Sequence, residues 1–155
     1  MAPRQHMRKM KVGKVTFTEA YKAVNEYRQK FPQKAVTFYA QNYPAMGWAV
    51  FMAGGSCPVI PCTDKVFLKD AAAMEVEETN TDEYKKMVKS DIGSIIYSKS
   101  GTEIPVQLSS GKYALKYIHP ASGKIETINK SLKINGLYKL KVPDKKEGIY
   151  WFHKL

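Results

Sequence analysis

Gly47 to Pro61 reads G-W-A-V-F-M-A-G-G-S-C-P-V-I-P and is the most apolar run in the chain. Pro44 to Ala53 is long enough for about three helical turns. Met46, Trp48, Val50, Phe51 and Met52 would cover every face of that helix. A helix that is apolar all round must be buried all round. It is too short to span a bilayer, which takes about 20 apolar residues. Gly54-Gly55 allows a left-handed cap, and Pro58 and Pro61 keep the helix from resuming. The rest of the chain, a second copy joined through residues 44–61, or a larger body must therefore wrap this segment.

The remaining pattern changes character along the chain. Thr16 and Glu19 form a capping-box pair, and Ala20, Tyr21, Val24, Tyr27 and Phe31 then fall on one side of a helix closed by Pro32. Ala35 to Ala40 reads as a buried strand or an extended lead into the central helix. Thr63 or Asp64 caps a third helix, running to about Met74 and burying Val66, Phe67, Ala71 and Met74. Glu75 to Glu78 reads as a surface linker. Thr81-Asp82-Glu83 reads as the start of a fourth helix ending near Lys89.

From Ile92 the period falls to two. Strands are expected at 93–98, 103–108, 112–118, 124–129, 137–142 and 149–153, with Pro105 limiting its strand to an edge and Asn135-Gly136 making a tight turn. The fold class expected is α+β, N-terminal helices followed by a C-terminal antiparallel β-sandwich. It would divide into a basic arm (1–14), a helical region (15–90) and a β-sandwich domain (91–155).

Charge follows the same division. The chain has 25 Lys+Arg against 14 Asp+Glu, a net +11. Residues 1–14 contribute +5, residues 15–98 contribute −1 and residues 99–155 contribute +7. Such a balance permits polyanion binding through the arm and the lysine-faced strands. The sequence argues against a nucleic-acid reader, because it has neither an Arg cluster nor an RNP-type aromatic motif. Met1 to Lys14 has no apolar core of a secretory signal, so taken literally the chain reads as cytoplasmic.

No catalytic residue, metal site or cofactor motif emerges. Glu75, Glu77, Glu78, Asp82 and Glu83 lie in a polar stretch and read as a solvated surface rather than an acid pair. Gly54-Gly55-Ser56 follows a helix rather than a strand, so it reads as a cap and not a phosphate loop. Cys57 and Cys62 lie apart from His6, His119 and His153 and do not make a zinc pattern; a disulfide and two half-buried thiols both fit them. Aromatic rings remain as ligand candidates, since sugars stack on ring faces. The four singled out are Tyr43, Trp48, Tyr117 and Trp151. For each the competing reading is core packing. Tyr150 and Trp151 must face opposite ways from their strand, so one of them lies outside the sandwich core.

The runs I-I-Y-S-K-S-G-T-E-I-P-V-Q-L, G-K-Y-A-L-K-Y-I-H-P-A-S-G-K and G-I-Y-W-F-H-K-L resemble the small β-domain that closes many bacterial glycoside hydrolases, usually labelled a collagen-binding domain. His119 stands where that domain usually has Asp in its aromatic-x-D-P-x-x-G turn. G-W-A-V-F-M-A-G-G-S is similar to a late helix of the (β/α)8 barrel in such enzymes. The resemblance covers about residues 43–155. It implies a non-catalytic accessory β-domain that binds glycan or matrix, or a fragment with no independent activity, and its implied partners are carbohydrate or a missing barrel domain. It carries over no catalytic acid. The family is often secreted or periplasmic, which leaves the localisation open. The alternative function is a basic polyanion-binding module.

Overall fold

The structure is a computed structural model, and it describes residues 15–38, 43–99, 103–143 and 147–155. The basic arm at 1–14 lies outside the described residues. Three helices come first: α1 (Phe17–Lys30), α2 (Tyr43–Met52) and α3 (Lys65–Ala73). Eight strands follow: β1 (Glu75–Glu77), β2 (Tyr84–Lys89), β3 (Gly93–Ser98), β4 (Glu103–Gln107), β5 (Gly111–Ile118), β6 (Ile125–Ile134), β7 (Leu137–Lys141) and β8 (Gly148–Lys154). The class is α+β with antiparallel strand pairing throughout. Six strands form one sheet in the order β1-β2-β3-β8-β5-β6, and β4 pairs with β7 as a separate ribbon.

The result is three layers. Ile95, Tyr97, Ile149 and Trp151 point from the sheet to the helices. Ile96, Tyr113, Leu115, Tyr150 and Phe152 point the other way, to Ile104, Val106 and Leu140 of the ribbon. Strands alternate their side chains between faces. A strand covered on both faces is therefore buried along its whole length, as β3 is.

Local chemistry explains the helices. Thr16 and Glu19 make the reciprocal capping box on α1. Asp64 accepts from the Phe67 amide at 2.8 Å to start α3. At the end of α2, Gly55 N–H donates to Val50 C=O at 2.8 Å and Gly54 N–H to Phe51 C=O at 2.9 Å, the paired bonds of a Schellman cap, with Gly54 at φ 68°. Trp48 to Ala53 are all buried within the chain itself, against α1, α3 and the sheet. Residues 35–38 are extended but unpaired as a strand, and Val36 instead exchanges bonds with Ser56.

Three expectations are corrected by the structure, on Val66, on the fourth helix and on the linker at 75–78. Val66 is 46% exposed, so the buried stripe of α3 is Phe67, Asp70, Ala71 and Met74 without it. The fourth helix is absent: Tyr84–Lys89 is a strand, and the expected linker supplies β1. Pairing of β2 along six positions of β3 outweighs the helical charge pattern. Two lysines of this strand, Lys85 and Lys86, are buried and satisfied, while Lys89 at its end is exposed. Lys85 Nζ donates to Thr81 C=O at 2.7 Å and lies over the Tyr21 ring, and Lys86 pairs with Glu77 and the Pro105 carbonyl. Cys57 and Cys62 are both free thiols, the first exposed and the second buried, and burial pushes the Cys62 thiol up. Among the described residues, no helix is long and apolar enough to cross a membrane.

Candidate functional site

A buried polar cluster joins helices and sheet at the seam of α3 and β8. Asp70 stands one turn after Phe67 on the inner face of α3 and is only 7% exposed. Its Oδ2 accepts from Trp151 Nε1 at 3.0 Å and lies 2.7 Å from His153 Nδ1. Trp151 and His153 are two apart on β8 and therefore share the helix-facing side. Trp151 is 0% exposed, while the His153 side chain is 27% exposed. A buried carboxylate needs strong donors, and an indole and an imidazole supply them here. The cluster can hold α3 against β8 and fix the orientation of the imidazole.

Rings extend the seam. Phe67 meets Trp151 edge-on at 5.3 Å, and Trp48 meets both Phe67 and Phe51 edge-on at 6.3 and 5.5 Å. Trp48 Nε1 donates to Pro120 C=O at 2.8 Å. That carbonyl belongs to the β5–β6 turn, closed by Gly123 N–H on His119 C=O at 2.8 Å. His119 Nε2 lies 2.9 Å from Glu126 Oε1, an ion pair in distance rather than an aligned hydrogen bond. His119, with Lys124 beyond it, holds the Glu126 carboxyl below the usual carboxylate range.

The structure brings two of the four candidate rings together and separates a third. Trp48 and Trp151 meet through Phe67 in the helix-side core. Tyr117 lies in the ribbon-side core, donating to Glu147 C=O at 2.7 Å and lying 5.4 Å from the Tyr150 ring, and burial raises its phenol. All three are buried, with ring faces or edges against protein. The Tyr43 side chain lies outside the described residues, although its backbone begins α2. Tyr150 and Trp151 do face opposite ways, and Trp151 is the one that packs on the helices. The Tyr150 hydroxyl is buried without a partner among the described residues, and burial pushes it up to about 12.

Asp70 and His153 were not singled out from the sequence, since 83 positions separate them. A signal was present: Asp70 is a lone acid on the apolar face Phe67-Ala71-Met74, and His153 shares a strand face with Trp151.

A family model described as "Domain of unknown function (DUF6298)" matches residues 1–74, just under half of the chain. No curated protein matches. A solved structure described as "Glycoside hydrolase" is similar over 51% of this chain and 19% of its own, at 16% identity and a TM-score of 0.39. The chain therefore spans about a fifth of that protein's length.

Proposed function

We propose that this chain is a non-catalytic accessory β-module of a glycoside-hydrolase-like protein, acting in glycan or matrix binding, with a helical region that resembles the end of a (β/α)8 barrel. One observation carries the reading. The stretches whose sequence resembles that family, around Trp48, Pro120 and Tyr150-Trp151, are the same stretches that meet in the seam between helices and sheet. Their polar groups are turned inward: the Trp48 indole binds a backbone carbonyl, and the Trp151 indole and His153 imidazole share the Asp70 carboxylate. Such a seam joins one element rigidly to another. Trp48, Tyr117 and Trp151 then serve as anchors, and Tyr43 remains the ring proposed for ligand contact.

The test is to incubate the purified chain with a panel of polysaccharides, assaying new reducing ends beside retention on the same polymers. Retention without release of reducing ends is expected. Release that Asp70→Asn abolishes would replace this reading with a hydrolase built on the Asp70–His153 pair.

A further inference from the structure

The helices do not cover the whole of their side of the sheet. Their core contacts come from β1, β2, β3, β8 and the last residue of β5, while β6 contributes only Ile125. On the uncovered corner the register sets Lys112 directly opposite Lys133. Their neighbours Tyr113 and Leu132 face the ribbon, so both lysines face the helix side. Both are exposed. Like charges directly opposite on an antiparallel pair repel. Neither ammonium has an acidic or hydrogen-bonded side-chain partner among the described residues. Lys116 points to the same side, four residues along β5, with its Nζ held 4.1 Å from the centre of the Trp151 ring. His153 borders this corner through its pairing with Ala114, and Asp70 engages only its Nδ1.

We propose that this corner binds an anionic polysaccharide, one carrying carboxylates of the uronic-acid type, through Lys112, Lys133 and Lys116 with His153 at the margin. The inference rests on the accessory-module reading and gives that module its ligand class. Two unpaired ammonium groups held face to face are stabilised by an anion seated between them. Lys116 repeats the positive charge about 13 Å along the strand. Charge that sparse matches a polymer with one carboxylate per sugar or per pair of sugars. Duplex DNA presents a charge every ~1.7 Å, far denser than this spacing, and its phosphates suit Arg forks, none of which lines this face. The ribbon lysines differ: Lys139 and Lys141 both lie 3.6 Å from the one Glu103 carboxylate, which offsets one of their two charges, whereas Lys112 and Lys133 have no acid between them.

The experiment measures retention of the full chain on immobilised polygalacturonate over a sodium chloride series, with dextran and duplex DNA columns alongside. Two double variants remove the same charge. Lys112→Gln/Lys133→Gln is expected to weaken retention about ten-fold and to flatten its salt dependence, while Lys139→Gln/Lys141→Gln leaves it within about two-fold. Equal losses from both variants would mean a surface-charge effect only and would overturn the proposal. Tighter retention on DNA than on polygalacturonate would overturn it in favour of nucleic acid. Retention on dextran alone would overturn the uronate site while leaving the accessory-module reading intact.

Discussion

A carboxylate buried on an apolar helix face is stable only where strong donors reach it. Asp70 meets that condition with Trp151 and His153. Asp70→Ala would leave the buried indole N–H without its acceptor. The expected loss is about 3 kcal/mol of unfolding free energy in urea titration, with Asp70→Asn, which can still accept from the indole, losing clearly less. At this scale the sequence was legible where a residue's role is local. Thr16, Glu19 and Asp64 cap their helices as their spacing predicts. It was not legible where a role is set by distant partners. Asp70 stands out as a lone acid on an apolar helix face, but its donors appear only when β8 arrives, and the four rings read by default as core.

Elements show the same division. Helix α2 was foreseen from composition alone, because a segment apolar on every side has no solvent-tolerant face. Its cap was foreseen too, since Gly54 takes the left-handed conformation that glycine adopts freely. A Cβ there would also come within 3.1 Å of Val76 and 3.3 Å of Arg28. Gly54→Ala should therefore cost about 1–2 kcal/mol, read as a lower midpoint in thermal melts with an unchanged far-UV spectrum. In strand β2 the local charge order suggests a helix, whereas the decisive partners are β3 and the backbone acceptors that Lys85 and Lys86 reach. The seam cluster shared this fate. Both depend on contacts that periodicity does not encode.

For the whole molecule, helices and sheet share one core, so one cooperative unfolding transition is expected. Its dependence on pH follows from the shifted groups. Glu19, held by the Thr16 backbone and hydroxyl, Asp82, held by Lys22 and Lys85, and Glu126, held by His119, all lie below their ordinary values. Their stabilisation is present above about pH 4.5 and is lost as pH falls through the folded values. Tyr21 and Tyr150 are pushed up to about 12 by burial, and Tyr97 is raised by burial and by Glu147. Their contribution is full below pH 10 and is lost as pH rises toward 12. Melting midpoints across pH 3 to 12 should therefore form a plateau with a fall at each end. A midpoint still level at pH 12 would contradict the burial of these phenols.

The position of β8 has a consequence in time as well as in space. It lies between β3 and β5, yet it follows both in the chain. During synthesis β3 and β5 therefore leave the ribosome with no strand to join them, each offering an open edge. Until residues 148–154 emerge, the hairpin of β5 and β6 and the hairpin of β2 and β3 are separate pieces, and Asp70 has neither of its donors. Folding of the sheet is then less a matter of growth from one end than of a late insertion. A ribosome that stalled just before Gly148 would hold a chain with nearly all its secondary structure specified and its central strand still missing.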